Sequence, residues 1–142
     1  MEIEYTLSII KPDAMKRNLS EEINKMFTDS GFKIVAQKEI NLTKQMAEEF
    51  YSEHKERPFY ADLVTYMSSG PVIVQVLAGK NVIVKNREIM GETDPKNAAE
   101  GTIRKKYGLS IDHNSIHGSD SVDSAKREIN FFFDYDKLAS ES

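Results

Sequence analysis

Residues 71–78, Pro-Val-Ile-Val-Gln-Val-Leu-Ala, form the most apolar stretch of the chain. A nearly unbroken apolar run of this length reads as a strand covered on both faces, and so as the centre of a sheet. The fold depends on what lies on either side of it.

On the N-terminal side, residues 4–10 alternate, with Tyr5, Leu7 and Ile9 against Thr6 and Ser8, and predict a first strand. Pro12 cannot donate to a sheet ladder and ends it. Lys11 therefore stands at a strand end, either where open sheets bind ligands or as an ordinary surface lysine. Ser20, followed by Glu21 and Glu22, opens a helix whose stripe is Ile23, Met26 and Phe27 and whose stop is Gly31. Residues 32–42 alternate again and predict a second strand. Thr43 caps a second helix with Met46, Ala47 and Phe50 inward, and with Tyr51 and an exposed His54 further along. Pro58 interrupts that pattern, and Phe59 and Tyr60 open a short helix closing at Ser68-Ser69-Gly70. Adjacent aromatics at this junction suit either core packing or stacking on a ligand.

On the C-terminal side, residues 80–90 predict a helix with a stripe of Val82, Ile83 and Ile89, ended by Gly91. Residues 91–95 form an oxygen-rich turn, a short helix is expected over 98–100, and residues 107–113 are irregular. Residues 115–117 predict a short strand and residues 121–133 a final helix burying Val122, Ala125, Ile129 and Phe132. The tail from Asp134 is short and polar. Reduced to sheet and main helices, the order is βαββαβ, with an extra helical pair between the second and third strands. That order predicts an α+β, ferredoxin-like single domain, residues 1–142: a four-stranded antiparallel sheet with helices on one face.

Composition bounds the function. With 142 residues, 39% apolar and 30% charged, the chain suits one globular domain. It has no cysteine, which excludes thiol catalysis and disulfides. No membrane-length apolar run and no signal-peptide pattern occur, so a cytoplasmic place without membrane contact is expected. The net charge of −4 opposes nucleic acid as a partner. An anionic ligand then needs a local group of cations. Lys80, Lys85, Arg87, Lys96, Arg104, Lys105 and Lys106 crowd one segment, as a ligand site or as a solvated surface.

The chemistry gathers at residues 114–120, Asn-Ser-Ile-His-Gly-Ser-Asp. Neutral imidazole is a nucleophile near neutral pH when one ring nitrogen is free and the other is held by an acceptor. His117 sits just before a helix start, where anions are favoured. Glu128, two turns along that helix, is either the acceptor that orients His117 or a solvated residue. Lys11, Arg87, Thr93, Arg104 and Asn114 are the donor types that phosphoryl transfer uses for positioning and charge neutralisation. No Walker loop or kinase glycine loop is present. Acidic pairs at metal-ligand spacing are lacking too, so Mg2+ is expected to travel on nucleotide phosphates and water. His113 and His117 are four apart, but Asn114, Ser115 and Gly118 argue against the helix that would pair them on a metal, leaving His113 a loop residue.

The segment 114–120 resembles the active-site signature of nucleoside diphosphate kinases. The likeness continues through Ile10-Lys11-Pro12-Asp13, Arg57-Pro58-Phe59, Ser69-Gly70-Pro71, Gly91-Glu92-Thr93 and Gly101-Thr102-Ile103-Arg104, over nearly the whole chain. The resemblance implies a ping-pong enzyme in which His117 takes the γ-phosphate of a nucleoside triphosphate, mainly ATP, and gives it to a nucleoside diphosphate. It implies that Lys11 and Asn114 contact the sugar hydroxyl and the moving phosphate, with Tyr51 close by. Arg87, Thr93 and Arg104 would hold the distal phosphates. Phe59 would stack on the base with Ile111 on its other side, and Ser119 and Glu128 would orient the histidine.

Ala14 stands where many members have glycine, and Asp94 where asparagine is common, which adds a negative charge near the phosphates. The chain ends at Ser142 without the longer tail of eukaryotic members, as in bacterial forms. A homo-oligomer, tetramer or hexamer from a common dimer, is implied. The competing readings are a catalytically silent nucleotide-binding regulator on the same fold, a nucleic-acid binder, and a phosphohistidine carrier between proteins. The first would require a lost catalytic position, the second a basic surface, and the third would not need Phe59 and the phosphate-binding side chains.

Overall fold

The computed structural model describes residues 3–111 and 113–141. The acidic start at Met1 and Glu2, Asp112 of the irregular segment and the end of the tail at Ser142 lie outside the described residues. The apolar run becomes β3 (Val72–Gly79), buried along nearly its full length. It pairs antiparallel with both β1 (Glu4–Ile10) and β2 (Lys33–Ile40), and β1 pairs in turn with β4 (Ile116–Gly118). The sheet order is β2-β3-β1-β4, so the chain's most apolar strand is central as its composition requires.

Helices cover both faces. Leu7 and Ile9 of β1 register with Val76 and Val74, and Ile9 registers with His117 of β4. That face carries α3 (Lys44–Phe50) and α7 (Val122–Phe132): Phe50 meets His117 edge to face, and Glu128 hydrogen-bonds it. The opposite face carries Ser8, Gln75 and Gly118. Here α2 (Ser20–Asp29) and α5 (Val82–Met90) pack, with the Gln75 amide donating to Asn24 at 2.8 Å and Asn86 and Met90 lying against Gly118. The βαββαβ plan thus accounts for one face, and the later helix and the inserted pair supply the other. Phe27, Leu7, Ile9, Ile23 and Ile129 are fully buried between these layers. Each such side chain contributes about 1.5–3 kcal/mol on burial.

Local rules explain most boundaries. The Thr43 hydroxyl accepts from the Met46 amide and starts α3, while Gly91 ends α5 at φ 87°, a conformation glycine adopts without strain. α4 (Tyr60–Met67) follows Pro58, and α6 (Ile103–Tyr107) starts under the Thr102 hydroxyl.

The expected placement of helices on one face gives way to helices on both, and four local expectations change as well. Pro12 does more than end β1. It occupies the first turn of a short helix, α1 (Pro12–Lys16), where a missing N–H is harmless. The short helix expected at 98–100 forms instead as a 3-10 turn at Pro95–Asn97, because Asp94 caps the Lys96 amide and Pro95 presets the first position. Val122 is 49% exposed at the first position of α7, outside the stripe that faces the sheet. The tail folds as α8 (Tyr135–Glu141), which lays Tyr135 edge-on against Tyr5.

Gly118 is where packing is tightest beside the site. An added Cβ would stand 2.6 Å from the Met90 sulfur and overlap the Asn86 amide. Gly118→Ala should therefore destabilise the fold by about 1–3 kcal/mol. The check is a lower urea midpoint at unchanged slope.

Candidate active site

Segments from across the chain converge on a cleft of about 680 Å³ at the end of β1 and β4. Lys11, Phe59, Arg87, Thr93, Arg104, Ile111, Asn114, His117 and Glu128 line it. Sequence reasoning singled out each of these. Tyr51 and Ser119 lie behind the lining: the Tyr51 ring centre is 6.3 Å from that of His117, and Ser119 is fully buried beneath Glu128.

The histidine is held from one side. Its Nε2 lies 2.7 Å from Glu128 Oε1, and the Ser119 hydroxyl donates to the same oxygen at 3.0 Å. Ser119 is itself anchored by accepting the Leu7 amide, so the carboxylate is tied back to the central sheet. Glu128 is buried rather than solvated, which resolves the two readings of it. Burial alone would raise its pKa. The charge and hydrogen bond of His117, then the hydrogen bond of Ser119, outweigh that and hold the carboxyl below its ordinary range. With Nε2 donating to Glu128, Nδ1 carries the lone pair, and it has no hydrogen bond among the described residues.

Asn114 clamps the cleft wall. Its carbonyl oxygen accepts from the Lys11 ammonium at 2.8 Å, and its amide donates to the backbone oxygens of Thr93 and Ile111. Of the cations crowding residues 80–106, Arg87 and Arg104 reach the lining. Arg104 is buried, and donates to the carbonyls of Gly91 and Ile116. Burial, and then the adjacent charge of Arg87, lower its pKa to about 10. Phe59 and Ile111 are half exposed on the same cleft, ready for a flat ligand. The Tyr51 hydroxyl is buried without a partner, and burial followed by the charge of Glu128 pushes its pKa up, so it stays protonated.

Two anticipated features fall elsewhere. The start of α7 is partly capped by its own side chains. Ser124 Oγ accepts the amides of Asp120 and Ser121, and Ser121 Oγ accepts that of Ser124, so the helix caps itself. The cleft's positive charge comes from side chains instead. Asp94 caps the turn after it and does not line the cleft. The structure also adds residues that the pattern did not single out. His54 is half-buried rather than exposed, with its ring 5.6 Å from Phe59. Leu63 and Tyr66 of α4 line the cleft with Phe59, and His113 stacks on Tyr66 at 4.2 Å. Helical spacing marked Leu63 only as core, and nothing local marks the Tyr66–His113 contact.

A histidine with one nitrogen held by a buried carboxylate shares this cleft with two arginines and an aromatic shelf, the residue types that suit a phosphotransfer site for a flat, anionic ligand. Comparison with known proteins gives the family. A family model described as nucleoside diphosphate kinase matches residues 4–138. The nucleoside diphosphate kinase of Paracoccus denitrificans is 62% identical over 133 residues, covering 94% of this chain and 95% of the relative. That of Rhodospirillum centenum is 59% identical over the same span. Among solved structures, the Aquifex aeolicus nucleoside diphosphate kinase superposes with a TM-score of 0.91 at 45% identity, covering 93% of this chain and 96% of that one. The enzyme from Encephalitozoon cuniculi gives 0.88 at 40% identity, covering 91% and 88%. This chain belongs to the nucleoside diphosphate kinase family, a family of phosphotransferases.

The Glu128 pair has a pH signature. A carboxyl whose folded pKa is depressed adds stability above its unfolded pKa and loses it as pH falls through the folded value. Wild type should exceed Glu128→Gln in unfolding free energy at neutral pH, and the margin should shrink as pH drops below the ordinary carboxyl value of 4.5. Parallel denaturation curves at several pH values measure it, and a margin flat with pH would contradict the assignment.

Proposed function

We propose that this chain moves the terminal phosphate of a nucleoside triphosphate, mainly ATP, to a nucleoside diphosphate in two half-reactions through His117. In the first, the Nδ1 lone pair attacks the γ-phosphorus. The Nδ1–P bond forms as the bond to the bridging oxygen breaks, and the diphosphate leaves with that electron pair. The positive charge gained by the ring is balanced by Glu128, which keeps the Nε2 proton in place. In the second, a terminal oxygen of another diphosphate attacks the same phosphorus and the imidazole leaves. The observation that carries this is the 2.7 Å contact between His117 Nε2 and the buried Glu128, which leaves the other ring nitrogen available on a cleft that holds Arg87 and Arg104.

Each remaining residue has a role in that scheme. Arg87, Thr93 and Arg104 hold the distal phosphates, and charge neutralisation is the larger part of such catalysis. Lys11 and Asn114 meet the sugar hydroxyl and the moving phosphate. Tyr51, protonated and behind His117, donates toward that phosphate, and Ser119 orients Glu128. Phe59 and Ile111 sandwich the base. Stacking accepts any base, which suits broad nucleotide use. Among the described residues, no group of three or more His, Cys, Asp or Glu gathers to hold a metal. Asp120 lines the cleft, and its hydrogen bond from Ser124, outweighing burial and aided by Arg87, keeps its carboxyl ionised. That donor set fits a Mg2+ ion held mainly by the nucleotide and its water, with Asp120 as an oxygen acceptor beside it. The ion, when bound, offsets phosphate charge.

The chain acts as one domain, in the cytoplasm, as a homo-oligomer: a tetramer or hexamer built from a common dimer. The open edge of β2, with Ile34 and Val35 only half covered, supports association. No helix among the described residues is long and apolar enough to cross a membrane.

Incubation with γ-labelled ATP should give an acid-labile, alkali-stable phosphoprotein that loses its label on adding a nucleoside diphosphate. His117→Ala should abolish both steps. A wild-type chain that binds nucleotide yet takes no label would restore the silent regulator. Phe59→Ala should raise KM about tenfold for purine and pyrimidine nucleotides alike, since a stacked base is worth about 1–3 kcal/mol. A loss confined to one base would mean that Phe59 does not stack.

A further inference from the structure

Asp13 lies outside the cleft lining and has no part in the transfer scheme, yet it is one of the most heavily bonded side chains beside the site. It follows Pro12 on α1 and is 7% exposed. Its carboxylate accepts the Ser115 amide at 3.2 Å, the Ser115 hydroxyl at 2.9 Å, Arg17 Nη2 at 3.0 Å, and the Tyr66 hydroxyl. The Tyr66 oxygen accepts the Asp13 amide in return. Arg17 continues to the carbonyl of Tyr107. One carboxylate therefore joins α1, α4 and the loop that leads into β4.

The residue it grips most closely is unusual. Ser115 is fully buried with φ 73°, a left-handed conformation that residues with a Cβ rarely adopt. Asp13 takes both its N–H and its hydroxyl, and its carbonyl accepts the Lys11 amide at 2.9 Å. Ser115 lies between Asn114, which holds Lys11 in the cleft, and Ile116, which begins the strand carrying His117. Relaxing its backbone to negative φ would turn Asn114 and β4 relative to each other.

We propose that Asp13 is a positioning residue for phosphoryl transfer: by holding Ser115 left-handed it sets Asn114 and His117 in mutual register, and through Tyr66 it fixes the α4 wall of the nucleoside pocket. The inference rests on the phosphohistidine scheme above. The Tyr66 phenol is suited to the task, since burial and then its hydrogen bond to Asp13 push its pKa up and keep it a donor. Misplacing reacting groups by about 1 Å lowers rate by about 100-fold, and the loss appears in kcat more than in KM.

The test is the single-turnover rate of His117 labelling from ATP in the full chain, with steady-state KM and thermal unfolding measured alongside. Asp13→Ala should label about 100-fold more slowly than wild type, with KM for ATP changed less than about threefold. Asp13→Asn keeps an acceptor for the Ser115 amide and the wild-type volume, and should lose about tenfold, which keeps the test decisive if Asp13→Ala does not fold. Adding Ser115→Gly to either variant should recover a large part of the rate, because glycine takes φ 73° unaided. A merely structural Asp13 would lower the melting temperature, but it would not be rescued in rate by glycine at 115. Wild-type rates in folded Asp13→Ala or Asp13→Asn, or a double variant as slow as its Asp13 parent, would overturn the proposal. Absence of label in the wild type would instead overturn the phosphohistidine scheme.

Discussion

The site depends on the two-residue period of a three-residue edge strand. β4 consists of Ile116, His117 and Gly118, and successive side chains on a strand point to opposite faces. His117 is thereby turned toward α7 and α3, and Gly118 toward α5. A slip of one residue would bury the imidazole under α5 and set a glycine against Glu128. The register is held by Ser8, Ile9 and Ile10 of β1, and beyond the strand by the Ser119 amide donating to Leu7 and the Ser119 hydroxyl accepting from it. The absence of a side chain at 118 lets α5 approach until Asn86 and Met90 touch the strand. That approach brings Arg87, the next residue after Asn86, to the cleft lining. Backbone pairing, close packing and the position of a cleft cation are therefore one constraint.

Much of this was legible in the chain because it is local. Strand period, the Thr43 cap, the glycine stop at Gly91 and the order of elements each depend on a few neighbouring residues. The cleft was legible in a different way. Glu128 was ambiguous by spacing alone, since a helix residue two turns from a histidine can face it or face water. The resemblance of segments 10–13, 57–59, 91–93, 101–104 and 114–120 is what assembled them, and the cleft draws on each of those segments. What stayed hidden was decided at long range. α1 forms because Lys11 and Asp13 bond across to Asn114 and Ser115, about a hundred positions away in sequence. The self-capping of α7 is local but ambiguous: Ser121 and Ser124 could have left their amides to a phosphate, and only the side-chain rotamers decide that they do not. The stacking of His113 on Tyr66 joins a loop to a helix with no shared pattern.

The electrostatics of the cleft explain why two cations can be kept so close. Arg104 is buried, and neighbouring Arg87 lowers its pKa further, so its positive charge is held at a cost. Its guanidinium is held by the carbonyls of Gly91 and Ile116 rather than by a carboxylate. A carboxylate partner would have relieved the strain and also occupied the donors that a phosphate needs. The carboxylates nearest His117 are committed differently: Glu128 is turned to His117 and Ser119, and Asp120 to Ser124. In the proposed transfer an incoming polyphosphate would meet donors already in place, with little reorganisation required as charge shifts. The same separation of partners suits the phosphohistidine scheme proposed above. In that scheme Glu128 balances the ring through Nε2, so the compensating negative charge stands at the nitrogen opposite the one on which a phosphate would enter and leave.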